Sequence, residues 1–266
     1  MRFLSGEFRL KRVVAALGFL TVLFCLLYAY ASLVEPRWIR VVRLSLADPP
    51  SLRLIHVTGF HHKGNQRYLD KVVARINRLE PDIVCITGDF VEESRHLPRV
   101  LDAIGQIRVP TFAVPGNWEH WSALDLSLVN DACTNTGGML LVNSSARFRD
   151  RWLLVGIDNI STGHANVEKA FADVRQDDRV IFLTHCPVGI DMLDERRVTL
   201  ALAGHSHGGQ VRLPLIGALY TIDNVGRYDR GYFDTPNGPV YVNPGIGTSV
   251  VPIRFLCRPE ITVISL

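Results

Sequence analysis

Five cysteines are spread over 266 residues, and no two of them form a C-x-x-C pair or share a regular spacing. A disulfide framework needs clustered thiols, so none is expected. Cys25 lies in an apolar run and Cys85 in an apolar strand, where cysteine serves as a small hydrophobe. Cys186 follows a histidine discussed below, but a lone cysteine does not make a thiolate site. Charge of one sign is missing too. The 29 basic and 26 acidic residues leave a net charge of +3, and the basic residues are scattered, so no nucleic-acid partner is expected. Internal repeats and low-complexity segments are absent, which leaves one domain as the economical arrangement. A hydrophobic fraction of 47% beside 21% charged residues excludes a disordered chain.

One apolar stretch stands out. Residues 13–34 carry no charge; as a helix they extend about 33 Å, enough to cross a hydrocarbon core of about 30 Å. A cleaved signal peptide is the alternative, because Ala29-Tyr30-Ala31 offers an A-x-A pattern. The run exceeds the roughly 7–15 apolar residues of a signal core, however, so an uncleaved single-pass anchor is expected. Arg2, Arg9, Lys11 and Arg12 precede it and Arg37, Arg40 and Arg43 follow it. That small excess points to a cytoplasmic N-terminus and an exported domain. The expected organisation is a basic tail at 1–12, the membrane anchor at 13–34, a linker at 35–50 and one domain at 51–266.

Within the domain, apolar runs predict strands at 52–58, 83–87, 111–114, 139–148, 151–157, 180–184 and 198–203. The turn between the strands at 139–148 and 151–157 falls on Arg149-Asp150. Amphipathic stretches predict helices at 66–80, 97–107, 122–133 and 166–174. The alternation argues for an α/β domain with buried strands, and the tail at 228–266 reads as more antiparallel. Residues 213–219, with Pro214 and Gly217, read as a core-packed loop, with a lip facing lipid as the alternative.

Apolar strands repeatedly run into polar, metal-capable residues. The first ends in Gly59-Phe60-His61-His62, the second in Gly88-Asp89 and the third in Gly116-Asn117-Trp118-Glu119-His120. A later strand ends in His185, and another in Gly204-His205-Ser206-His207-Gly208-Gly209-Gln210. Ligands of α/β sheets gather outside the carboxyl ends of the strands, so five such ends converge on one site without long loops. Each residue alone has a bland reading, as a turn former or a hydrogen-bonded histidine; the joint pattern does not. Mixed imidazole and oxygen donors suit Mn, Fe or Zn better than Ca or Mg. A carboxylate such as Asp89 bridges two ions about 3.5–4 Å apart, an arrangement that clamps a phosphoryl oxygen and yields hydroxide near neutral pH.

This order of motifs resembles the calcineurin-like metallophosphoesterases over about residues 50–266. Gly204 to Gln210, the Gly245-Ile-Gly-Thr248 segment and the stretch from Ile253 to Glu260 are similar to the membrane-associated YkuE/YaeI-like branch. The resemblance implies a four-layer α/β/β/α sandwich with a dinuclear metal site at one edge of the sheets. It implies that His61, Asp89 and His207 hold one divalent ion and that Asp89, Asn117, His185 and His205 hold the other. The implied reaction is hydrolysis of a phosphoester or diphosphate by metal-bound hydroxide, on a phosphorylated small molecule or lipid. UDP-2,3-diacylglucosamine pyrophosphatases, more distant relatives, act on lipid-linked substrates of the kind an anchored domain suits.

Two positions depart from the family pattern. Gly59 stands where the family's first motif, Asp-x-His, carries its Asp, which weakens the first site by one anionic ligand. Trp118 stands where a Gly-Asn-His motif carries a catalytic His, and it has no proton to give a leaving group. His120, two positions on, or a metal-bound water is the candidate stand-in, and Asp89, Asn117 and His120 are the expected catalytic set. The alternative is a degenerate, non-catalytic binding protein on the same fold. Restoring Asp at position 59 separates the two, since a gain from a null background marks degeneracy.

Overall fold

The computed structural model describes residues 3–149 and 151–266, with side chains from Leu10 onward; Arg2 of the basic tail, Asp150 of the expected turn and the Arg9 side chain lie outside it. Helix α1 (Phe3–Ala29) runs through a π-helical turn (Tyr30–Val34) and a 3-10 turn (Glu35–Arg37) into strand β1 (Arg40–Ser45). Then follow β2 (Arg53–Val57), α2 (Gln66–Arg78), β3 (Ile83–Thr87), α3 (Leu97–Gly105), β4 (Thr111–Val114), α4 (Asn117–Trp121), α5 (Leu126–Thr134) and β5 (Met139–Leu140). The second half holds β6 (Ser144–Phe148), β7 (Trp152–Gly156), α6 (Val167–Ala170), β8 (Arg179–Leu183) and β9 (Leu200–Ala203). A hairpin of β10 (Arg212–Leu213) and β11 (Gly217–Ala218) comes next, followed by β12 (Gly231–Phe233), β13 (Val240–Val242) and β14 (Glu260–Ser265).

Two six-stranded sheets form, ordered β1-β14-β2-β3-β4-β5 and β12-β13-β9-β8-β7-β6. The two-residue period of each strand builds the layers. In the first sheet Ile55, Val57, Val84 and Ile86 pack outward on α2, α3 and α5, while Leu54, Ile83 and Cys85 pack inward. In the second, Leu154, Ile181 and Leu202 meet them, and Val155, Phe182 and Ala203 face α6 on the far side. The result is helix, sheet, sheet, helix: the expected four layers.

Local chemistry sets the helices. The Asn65 side chain caps α2 by accepting the Tyr68 N–H at 3.2 Å, and Leu69, Val72, Val73 and Ile76 repeat at helical spacing on its buried face. Burying each of these side chains stabilises the fold by about 1.5–3 kcal/mol, an upper figure because unfolded chains also bury surface. Val73→Pro would remove an internal bond and cost about 3 kcal/mol or more.

Several boundaries differ from the sequence reading. The basic tail is helical from Phe3, continuous with α1. Residues 35–50, expected as a linker, hold β1, which pairs in parallel with β14 from Arg40↔Glu260 to Ser45↔Ser265. The strand expected at 139–148 is divided, because β5 pairs with β4 in one sheet and β6 with β7 in the other. The helix expected at 122–133 begins later, as α5, capped by Asp125, which accepts the Ser127 N–H at 3.0 Å, and the single-turn α4 precedes it. The one expected at 166–174 is the single turn α6. The tail is mixed, since β13 runs parallel to β9 and β14 parallel to β1. Residues 213–219 are not core-packed: they form the β10–β11 hairpin, with Leu215 and Ile216 exposed at its tip.

α1 is long and apolar enough to cross a membrane, and its end is fixed to the domain. Glu35 is fully buried and accepts the backbone N–H groups of Leu256 and Cys257 at 3.0 and 2.5 Å. The Arg254 N–H donates to the Ala31 carbonyl at 2.8 Å, and Phe255 meets Tyr30 edge-on at 6.3 Å. Arg254 itself is buried, with its guanidinium spread over the carbonyls of Pro244, Gly247 and Cys257. The tail motif noted in the sequence therefore clamps the end of α1.

Candidate metal centre

β2, β3 and β4 are mutually parallel, as are β7, β8 and β9, so their carboxyl ends point to one edge of the sandwich. There the chain turns sharply. His61, Asp89, His205 and His207 all have positive φ, between 40° and 63°. Non-glycine residues pay a conformational cost in this region and concentrate at functional sites. Gly116 is required by contact: a β-carbon on it would lie 2.3 Å from Asp89 Oδ1. That close approach lets the Gly88-Asp89 and Gly116-Asn117 turns meet.

Asp89 sits at the centre. Its Oδ2 lies 3.2 Å from His61 Nε2 and 3.2 Å from His185 Nε2, and its Oδ1 accepts the Trp118 N–H at 3.1 Å. His61 Nε2 and His207 Nε2 are 2.9 Å apart. On the other side of Asp89, His185 Nε2 is 3.0 Å from His205 Nδ1 and 3.1 Å from Asn117 Oδ1. All six predicted ligands are thus brought together and buried, in two groups that share Asp89.

The surroundings fix which nitrogen faces inward. His185 Nδ1 donates to the Thr87 carbonyl at 2.6 Å, and His61 Nδ1 faces Glu92 Oε1 at 3.1 Å. In both rings Nε2 is left for the centre, the usual way a carbonyl or carboxylate orients a ligating imidazole. His205 Nε2 is held 3.0 Å from the Asp223 carbonyl, which leaves Nδ1. Among the described residues His207 Nδ1 has no hydrogen-bond partner. Lone pairs crowded at 2.9–3.2 Å around a carboxylate fit a divalent cation better than protons, which cannot bridge every pair at once. The Asn117 group has the fuller set of supporting bonds.

Electrostatics follow the same geometry. Burial pushes the Asp89 carboxyl up, but the adjacent His185 and His61 outweigh it and hold it well below the usual range. Burial also pushes His61 and His185 down, and Asp89 reverses this, so both end raised. Burial, with the charge on His185, takes His205 down to about 3; burial and the charge on His61 hold His207 well below the ordinary value. Cys186 is buried, and burial raises its thiol to about 11, so it is no thiolate beside the ligands.

Sequence reasoning missed the role of Glu119. Fully buried, it accepts the N–H groups of Asp89 and Phe90 at 2.8 Å and of Gly116 at 2.7 Å, tying the second and third strand ends together. Its signal was the Gly-Asn-x-Glu spacing itself. Glu92 and Thr87, which orient His61 and His185, gave no signal in the sequence. His120, at the end of α4, has its Nε2 2.6 Å from Asp158 Oδ1 and its ring stacked on His164 at 4.5 Å.

The centre opens into a cleft of about 360 Å³. Asp89, Asn117, His205 and His207 lie in it, and Trp118, Trp121, Tyr220, Ile222 and Val250 form apolar walls. Gly59 lies beside it with φ +53°, and a β-carbon there would be 2.8 Å from His207 Cε1.

Residues 52–209 match the family model for calcineurin-like phosphoesterases, a segment that spans the whole motif series. The chain is 27% identical over 258 residues to the uncharacterized metallophosphoesterase YkuE of Bacillus subtilis, covering 90% of this chain and 89% of that one. It is 28% identical to the UDP-2,3-diacylglucosamine pyrophosphatase LpxG of Chlamydia trachomatis, covering 89% and 92%. It is also 32% identical to a bovine transmembrane protein with a metallophosphoesterase domain, across 80% of this chain but only 53% of that protein. Among solved structures, a dimetal phosphatase of Danio rerio superposes with a TM-score of 0.50 at 13% identity, over 81% of this chain and 99% of that one, which supports the fold. With this sandwich, these strand ends and these relatives, the chain belongs to the calcineurin-like phosphoesterases, in the branch that holds YkuE and YaeI, and is a phosphoester hydrolase.

Proposed function

We propose that the protein is a membrane-anchored, metal-dependent hydrolase whose substrate is a lipid-linked or nucleotide-linked diphosphate, with the domain on the exported face. One observation carries the reading: two donor groups sharing Asp89 lie at the floor of a cleft with apolar, aromatic walls. His61, Asp89 and His207 would hold one divalent ion, and Asp89, Asn117, His185 and His205 the other. Such a pair, when bound, neutralises phosphoryl charge and makes water acidic enough to supply hydroxide near neutral pH. The chain's own residues supply orientation: Glu119 holds the Asp89 and Asn117 turns, and Glu92 and Thr87 aim the imidazoles.

The choice of diphosphate over simple phosphodiester rests on the leaving group. Trp118 has no proton to donate and His120 is engaged by Asp158. General-acid help is worth about 10²–10⁴-fold when the leaving group is a basic alkoxide. A phosphate leaving group, with a second pKa of about 6, departs without it. LpxG, by its name a pyrophosphatase of a diacylated nucleotide sugar, supports this class.

The test is hydrolysis by the full chain in lipid nanodiscs loaded with Mn²⁺, using a lipid-linked diphosphate, a soluble nucleotide diphosphate sugar and an alkyl phosphodiester. Diphosphates should be cleaved faster than the alkyl diester, and Asp89→Asn should abolish both activities. Absence of hydrolysis on every substrate would overturn the reading in favour of the binding protein suggested by Gly59 and Trp118.

A further inference from the structure

The β10–β11 hairpin has no packing role that explains its composition. Leu215 and Ile216 at its tip are fully and 70% exposed, and Val250 in the neighbouring loop is 81% exposed. Two hydrophobic side chains at the apex of a two-residue-strand hairpin are costly in water, and contiguous apolar surface of this kind marks an interaction site. Its position names the partner.

The hairpin begins where the anchor ends. The Arg212 N–H donates to the Phe255 carbonyl at 2.9 Å, and Val211 bridges Phe255 in parallel. Phe255 packs on Tyr30 in the last turns of the apolar helix, and Arg254 and Glu35 lock the two segments together. Leu215 is three residues beyond Arg212, about 10 Å at strand spacing. Gln210 extends the same unit to the next loop, its amide donating to the Ser249 carbonyl at 3.0 Å and its carbonyl oxygen accepting the Ser249 N–H at 2.9 Å. The hairpin, the Val250 loop and the end of the helix are therefore tied together through Gln210, Arg212 and Phe255. Ser249, Val250 and Tyr220 also line the mouth of the metal cleft.

We infer that the bilayer holding α1 also covers this surface, so that the Leu215–Ile216 tip and the Val250 loop lie in the interfacial layer and the cleft opens onto the membrane. A lipid-linked substrate then reaches the metals with its acyl chains still in the bilayer. The inference rests on the reading of α1 as a membrane anchor, and its test separates the two.

The full chain is placed in nanodiscs and labelled with an environment-sensitive fluorophore at one cysteine. Native Cys25, on the exposed face of α1, reports on the anchor, the other four cysteines being buried. Leu215→Cys in a Cys25→Ser background reports on the hairpin. An apolar face in the interface sits about 5–10 Å into the headgroup and acyl boundary, so a lipid carrying a shallow nitroxide should reduce emission from position 215 about twofold, while Cys25, near the middle of the 13–34 span, is read with a nitroxide placed deep in the acyl chains. Quenching at both positions is the expected result. Quenching at 25 with none at 215 overturns the inference and leaves the anchor standing, while none at either overturns both. As a second measurement, Leu215→Ser with Ile216→Ser should raise the KM for a nanodisc-embedded substrate several-fold and leave kcat on a soluble one unchanged; equal KM values refute the surface.

Discussion

Glu119 is the most demanding single test of how the centre is held. Its carboxylate accepts three backbone N–H groups, those of Asp89, Phe90 and Gly116, at 2.7–2.8 Å in a site closed to water. Hydrogen bonds to a charged group contribute about 1.5–3 kcal/mol each, and buried donors left unpaired cost about 1–3 kcal/mol each. Water entering the vacated space recovers part of this, so Glu119→Ala should destabilise the fold by about 3–5 kcal/mol, at the severe end for one substitution. For a domain of this size that is a fall in Tm of about 6–20 °C by calorimetry. Glu119→Gln keeps one oxygen for the Asp89 and Gly116 donors and turns its amide N–H groups on Phe90, so it should cost about 1–3 kcal/mol. Because Asp89 is held in a left-handed conformation by these bonds, Mn²⁺ affinity should also weaken about 10–100-fold in either variant. A Tm for Glu119→Ala within a degree or two of the parent, or Gln proving as damaging as Ala, would refute the reasoning.

Further outcomes follow from the same geometry. Gly59→Asp should lower metal content instead of restoring a ligand, because φ is +53° and the new β-carbon would displace His207; a rise in bound metal or activity by elemental analysis and assay would contradict this. His56 is fully buried against Thr87 Oγ1, and burial holds its pKa down at about 3. The unfolded chain binds that proton near pH 6.5 and the folded chain does not, so His56 removes about 1.4 kcal/mol of stability per pH unit as pH falls from about 6.5 toward 3. His56→Gln should flatten the acid limb of denaturant-derived stability by that slope, and an unchanged limb would refute the assignment.

The fold was legible where one strand or helix is enclosed by its own apolar pattern. Residues 83–87 and 111–114 are strands at the expected bounds, because each is buried on both faces and stopped by a glycine-polar turn. The residues that meet at the sheet edge were legible because their motifs sit where those strands end. Features set by distant partners were not. β1 exists because β14, over 200 residues away, offers it an edge, and 139–148 divides because its two ends pair in different sheets. His120 turns to Asp158, which no local spacing predicts. Leu215 and Ile216 look like core residues by composition, and only the topology reveals that none of the described residues covers them.

On the function proposed above, Asp89 serves two ions at once. Metal content per chain is measured by elemental analysis after loading with Mn²⁺ and removal of excess. The parent should hold two ions per chain, one for each donor group, and Asp89→Ala should lose both. His205→Ala should keep the His61 group's ion and lose the other. A parent chain that retains one ion or none, or an Asp89→Ala chain that retains the full complement, would rule out a shared Asp89.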